Sequence, residues 1–189
     1  MFEADAYAAR RVLTKRGFAY ELTPEGASEP ALVWTLRPTW LADDLHLETP
    51  GGEPVLALTD ESPSEYVDAP FTVVDERDGT VLGLLSRTFY SLHRRTWALL
   101  DLDGFPVATI DATSRLRSVA RRRFLKLVPY RYELRDPDGE RLGELHASVV
   151  PRRAFTLAFE DADPGGDGTT LDRRLAIAAS AVVDGFELG

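Results

Sequence analysis

From Leu175 to Val183 the chain runs L-A-I-A-A-S-A-V-V, nine residues without a charge and with Ser180 as the sole polar side chain. A helix that is apolar all round must be buried in protein or lipid, because no face of it can turn to water. Local signals bound it. Thr169 and Asp172 give a Thr-x-x-Asp variant of the capping box ahead of Arg173 and Arg174, and Gly185 is a stop signal. The thirteen residues 171–183 span only about 20 Å at 1.5 Å per residue, short of a bilayer core of about 30 Å. The sequence therefore predicts a core helix over about 171–184, for which the rest of the chain must supply walls.

Those walls are legible as a repeated hairpin. Four segments centre on Gly52, Gly79, Gly104 and Gly139: L-H-L-E-T-P-G-G-E-P-V-L-A-L, F-T-V-V-D-E-R-D-G-T-V-L-G-L-L, W-A-L-L-D-L-D-G-F-P-V-A-T-I and Y-E-L-R-D-P-D-G-E-R-L-G-E-L. Three residues after each glycine stands Val55, Leu82, Val107 or Leu142. Leu56, Gly83, Ala108 and Gly143 follow, small in three copies of four, and apolar residues return as Leu58, Leu85, Ile110 and Leu145. Asp-Gly between alternating apolar arms is a strong hairpin signal, since such turns need positive φ. Further strands are expected at 18–22, 31–36, 88–93 and 154–160, bringing the total to about ten to twelve. Residues 2–17 have helical spacing at Phe2, Ala6, Ala9 and Leu13. Residues 113–126 fit a helix with a basic outer face, and 161–170 form a loop. The glycine spacings are too irregular for a solenoid or propeller. A closed antiparallel barrel has no unpaired edges and an apolar interior that the helix can fill. The expected fold is thus mainly β, one domain over 1–189, with the barrel over 31–189 and 1–30 without a firm assignment.

The hairpins V-V-D-E-R-D-G-T-V-L-G, L-L-D-L-D-G-F-P-V-A-T-I and Y-E-L-R-D-P-D-G-E-R-L-G-E-L, the basic R-L-R-S-V-A-R-R-R-F-L and the terminal D-R-R-L-A-I-A-A-S-A-V-V-D resemble the tubby-like superfamily, in particular its LURP-one-related and phospholipid-scramblase-like branch. The resemblance covers about residues 30–189. It implies a twelve-stranded antiparallel barrel around a hydrophobic C-terminal helix, and an association with phosphoinositide headgroups or membranes. The cysteine-rich palmitoylation stretch and proline-rich N-terminal region of animal scramblases are missing here, which argues against scrambling.

Charge narrows the function classes. The chain carries 22 basic and 31 acidic residues, a net −9. An acidic chain repels nucleic acid and anionic membranes unless its cations are gathered locally. They are gathered in residues 112–128, which hold Arg115, Arg117, Arg121, Arg122, Arg123 and Lys126 and no acid. Guanidinium forks bind phosphate bidentately, so these six are the candidate lipid or anion site; a solvated face paired to acidic loops is the competing reading. Lys15 and Lys126 are the only lysines, beside twenty arginines, and there is no Cys. That composition is the one expected of a salt-adapted, GC-rich archaeal source, and it excludes disulfides and thiol chemistry. With neither a signal peptide nor a spanning segment in the sequence, a cytoplasmic monomer is expected, peripheral to the membrane if it binds lipid.

Other candidates have simpler readings. The pairs Asp75/Asp78, Asp101/Asp103 and Asp136/Asp138 lack EF-hand spacing and fit turn chemistry, so no metal is expected. His46, His93 and His146 are far apart and read as strand-surface residues, and Trp34, Trp40 and Trp97 as barrel wall. G-G-D-G-T-T at 165–170 looks like the phosphate loop of NAD and diacylglycerol kinases. No apolar strand enters it, and it fits a hinge delivering the helix better. Three functions follow in order: a non-enzymatic barrel binding anionic phospholipid, a soluble protein-interaction module, and a phosphate-binding enzyme. No cofactor and no nucleic-acid partner is expected.

Overall fold

The computed structural model describes residues 1–14, 17–36, 44–60, 70–91, 94–113, 131–147, 154–160 and 171–188. Twelve strands alternate along the chain: β1 (Ala6–Thr14), β2 (Gly17–Pro24), β3 (Leu32–Leu36), β4 (Asp44–Glu48), β5 (Pro54–Asp60) and β6 (Phe71–Asp75), then β7 (Thr80–Ser91), β8 (Arg94–Leu100), β9 (Pro106–Ala112), β10 (Arg131–Arg135), β11 (Arg141–Ala147) and β12 (Ala154–Phe159). Each pairs antiparallel with its chain neighbours, and β1 pairs with β12 to close the barrel. One helix, α1 (Arg173–Leu188), follows.

The interior is set by strand alternation. Trp34, Leu58, Val73, Leu85, Trp97, Leu99 and Leu157 turn inward and are buried, and so does the whole run Leu175–Val183. The helix touches β5, β7, β8 and β12, strands spread around the ring, so it occupies the lumen. The dimensions agree. Twelve strands about 4.8 Å apart and tilted about 40° make a ring about 24 Å across. Wall side chains then leave roughly the width of one helix, about 10 Å. Four alanines (Ala176, Ala178, Ala179 and Ala181) keep it slim, and the Ser180 hydroxyl donates to the Ile177 carbonyl at 2.7 Å, so it needs no other partner.

All four predicted hairpins form, with Gly52, Gly79, Gly104 and Gly139 at φ between 76° and 87°. The small position after each turn has a packing cause in β7 and β11. A Cβ on Gly83 would lie 2.5 Å from the Leu100 carbonyl oxygen and 3.1 Å from Leu175, and one on Gly143 would collide with the Ala158 carbonyl oxygen.

Three expectations are corrected. The helix expected over 2–17 is absent from the described residues there: Ala6–Thr14 is strand β1, so the barrel begins at Ala6 and not at 31. Tyr7 and Ala9 point inward while Ala8 and Arg10 point out, a period of two that alanine on both faces disguises. The strand expected at 88–93 is the continuation of the twelve-residue β7, as far as Ser91. The helix starts at Arg173 with Asp172 as its N-cap: the Asp172 carboxylate accepts from Arg174 N at 2.9 Å and its carbonyl from Ala176 N at 3.2 Å. It continues through Gly185 to Leu188; a glycine inside a helix costs only about 1 kcal/mol against alanine, too little by itself to end one. At sixteen residues it spans about 24 Å; among the described residues no helix is long and apolar enough to cross a membrane.

Candidate functional site

The two ends of the barrel differ. At one end lie the glycine turns, the start of β1 and the entry of α1; at the other lie the strand ends Thr14 and Gly17, Leu36 and Asp44, Asp60 and Phe71, Ser91 and Arg94, Ala112 and Arg131, and Ala147 and Ala154. The first end is closed by a charge network. Asp75, fully buried at the end of β6, accepts from Arg77 N at 3.1 Å, Arg77 Nε at 2.8 Å, Arg77 Nη2 at 2.5 Å and Arg174 Nη1 at 2.7 Å. Hydrogen bonding by Arg77, then by Arg174, holds its carboxyl well below the usual carboxylate range. Arg174 in turn grips Asp172 through Nη2 at 2.6 Å. Burial pushes the Asp172 carboxyl up, but the Arg174 hydrogen bonds and charge bring it below its ordinary value.

The N-terminal segment crosses the same end. Arg173 donates to the carbonyls of Glu3 and Ala4 at 2.8 and 3.0 Å and reaches the Asp5 carboxylate at 3.2 Å. Arg77 lies 5.2 Å over the Phe2 ring and Arg173 5.1 Å over Phe159. The Tyr7 hydroxyl donates to the Met1 carbonyl at 2.9 Å and accepts from Ala4 N at 3.2 Å. Every carboxylate and guanidinium of the Asp75 network is committed to another member. Its chemistry is therefore that of a latch seating the helix, and it offers no free acid or base.

The structure gives the remaining candidates these places. Arg115, Arg117, Arg121, Arg122, Arg123 and Lys126 lie outside the described residues, as do 165–170, His93 and Trp40. The link carrying the six cations leaves β9 at Thr113 and returns at Arg131. There Thr113 donates from N at 3.0 Å and from Oγ1 at 2.6 Å to the Arg131 carbonyl. Asp78, Asp101 and Asp136 do turn work: their carboxylates accept from Thr80 N, from Asp103 N and Phe105 N, and from Glu140 N, at 2.7 to 3.0 Å. No group of three His, Cys, Asp or Glu side chains is placed to hold a metal among the described residues.

His46 on β4 pairs through Nδ1 with Glu76 Oε2 at 2.9 Å, and His146 on β11 is half-buried in the outer wall. Trp34 and Trp97 are buried wall residues; Trp34 packs on Tyr20 with ring centres 5.9 Å apart. Sequence reasoning missed the ionic role of Asp75, whose D-E-R-D-G setting reads as a turn and whose partner Arg174 is 99 residues away. Comparison of the chain with protein-family models, with curated proteins and with solved structures yields no match.

Proposed function

We propose that this chain is a non-catalytic barrel of the tubby-like, LURP-one-related and scramblase-like type, which binds anionic phospholipid headgroups from the cytoplasm as a peripheral protein. The observation that carries this reading is the segregation of charge in the sequence. Six cations and no acid fall within residues 112–128 of a chain with net charge −9, all in one link between neighbouring strands. Each basic residue near an anionic leaflet adds about 1 kcal/mol. A lumen filled by α1 supports placing the ligand outside the barrel, and the buried polar side chains among the described residues, Asp75 and Ser180, are both engaged in structural contacts. The low lysine content and acidity support a salt-adapted setting, in which binding must rely on close phosphate contacts because screening shortens to about 3 Å at 1 M salt.

Flotation with vesicles of neutral lipid alone, or of neutral lipid with phosphatidylserine or a phosphoinositide, tests the proposal. The expected result is flotation with the anionic vesicles only, abolished by Arg121→Glu, Arg122→Glu and Arg123→Glu together. Equal recovery with neutral and anionic vesicles overturns it.

A further inference from the structure

Among the described residues the most exposed large apolar side chain is Leu13, at 78%. It falls in the alternation that buries Tyr7 and Ala9, so lower in the strand it would face the lumen. Its exposure has a cause in the register. The described pairing of β1 with β12 extends as far as Arg10, opposite Ala154, whereas its pairing with β2 runs on through Leu13, opposite Phe18, to Thr14, opposite Gly17. The end of the β1–β2 hairpin thus outruns that pairing, and Leu13 stands proud of the rim.

Charge separates this tip from the other exposed apolar one, Leu102 and Phe105 of the β8–β9 turn, which are 65% and 68% exposed. In sequence, residues 10–17 read R-R-V-L-T-K-R-G, four cations and no acid, whereas 101–105 read D-L-D-G-F, two acids and no cation. The ends of the barrel follow the same division. The four glycine turns, 49–53, 76–79, 101–105 and 136–140, hold eight acids and one cation, Arg77, and Arg77 is tied to Asp75. Leu13 lies at the opposite end, with Thr113 and Arg131, between which the cation-rich link runs. From β1 to β10 is three steps around the ring, about 14 Å at about 4.8 Å per strand. Asp44 and Asp60 belong to this end as well, but on β4 and β5, so the sector that joins cations to Leu13 runs from β9 through β1 to β2.

We propose that the barrel meets an anionic bilayer by this rim sector, with Leu13 entering the headgroup layer and the acidic glycine turns facing away from it. The proposal rests on the reading of the chain as a binder of anionic phospholipid, and adds which part of it touches lipid. An apolar side chain set among cations matches a leaflet that is negative at its surface and apolar beneath: the cations stay with the phosphates while the leucine leaves water. Binding to such a surface grows with both the apolar area buried and the electrostatic attraction, so one leucine is a shallow anchor that works together with the cations. The same surface repels the turn that carries Asp101 and Asp103, which sets Leu102 and Phe105 on the side away from lipid.

Since the chain has no cysteine, a single label can be placed at either tip. Leu13→Cys and Leu102→Cys, each carrying the polarity-sensitive fluorophore NBD, are mixed with vesicles of neutral lipid and phosphatidylserine, and flotation is read on the same samples. The expected result is emission at 13 that shifts to the blue and is quenched by brominated lipid, with no change at 102. Without the label, Leu13→Glu should weaken binding about tenfold with an unchanged circular dichroism spectrum, and Leu102→Glu should leave binding as it is. If the chain labelled at 102 does not float with the anionic vesicles, the lipid reading falls and this proposal with it. If it floats and emission at 13 does not shift, or shifts no more than at 102, the orientation is overturned and the lipid reading stands. A shift at 13 that a soluble inositol phosphate produces as fully as the vesicles also overturns it, because no bilayer is then entered.

Discussion

Asp75 and Arg174 join the wall of the barrel to the first turn of the helix inside it, and cutting that link measures what seats the helix. The Asp75 side chain is 1% exposed and that of Arg174 27%, so the pair is screened far less than a surface ion pair. Their contact of 2.7 Å is a charge-assisted hydrogen bond, worth about 1.5–3 kcal/mol. Arg174→Met leaves Asp75 with Arg77 alone and should cost about 3 kcal/mol. Asp75→Asn strips two guanidinium groups of their shared acceptor and should cost about 3–5 kcal/mol. The double variant should be less destabilised than the sum by about 2 kcal/mol. Urea unfolding followed by the fluorescence of the buried Trp34 and Trp97 supplies all four corners of the cycle. Additivity within about 0.5 kcal/mol would show that apolar packing alone holds the helix and that the latch reasoning is wrong.

The same pair fixes the direction of a pH effect. Folding depresses the Asp75 carboxyl below its ordinary 3.8, so the unfolded chain binds its proton first as the solution is acidified. The stabilisation is complete above about pH 5 and is lost as pH falls through 3.8 toward the lower folded value. Asp75→Asn should therefore lose less stability than wild type between about pH 5 and pH 2. Asp172 and Asp78 are depressed as well and should account for the slope that remains. An acid slope identical in wild type and Asp75→Asn would mean that Asp75 contributes none of it.

Two further substitutions probe the barrel and its contents. Gly83→Ala puts a Cβ 2.5 Å from the Leu100 backbone at a φ of 152° and should cost about 3 kcal/mol. Gly104→Ala, with open space around its Cβ but a φ of 83°, should cost about 1 kcal/mol; equal melting temperatures for the two would contradict the close approach of β7 and β8. Ala178→Asp buries an unpaired carboxylate on the lumenal helix, at a cost of several kcal/mol, and should yield no cooperative melting transition. A normally folded variant would place the helix outside the barrel.

What could be read from sequence was whatever local chemistry decides. The four glycine turns were visible because positive φ at Gly52, Gly79, Gly104 and Gly139 follows from backbone sterics, and the lumenal helix because nine residues offer water no polar face. β1 was not. Ala6, Ala8 and Ala9 suit a helix by intrinsic preference, and their smallness removes the inward–outward contrast that marks a strand. What places them in a sheet is pairing with Ala158, Thr156 and Phe155, about 150 residues away in sequence. The latch was hidden for the same reason, since an aspartate in D-E-R-D-G is fully accounted for as a turn residue until Arg174 arrives beside it. The outer wall needed the fold as well. Val74, Leu84 and Leu100 read as ordinary strand hydrophobics until the burial of their neighbours Val73, Leu85 and Leu99 turns them outward.

A barrel whose lumen holds a helix cannot also hold a ligand there, and a closed sheet offers no edge for strand addition. The link with the six cations leaves and re-enters at the end opposite the glycine turns, at Thr113 and Arg131, so charge reversal at 121–123 should leave the urea midpoint supported by the Asp75–Arg174 latch unchanged. A variant that lowered that midpoint would have damaged the barrel itself, and its loss of vesicle binding would say nothing about the cations.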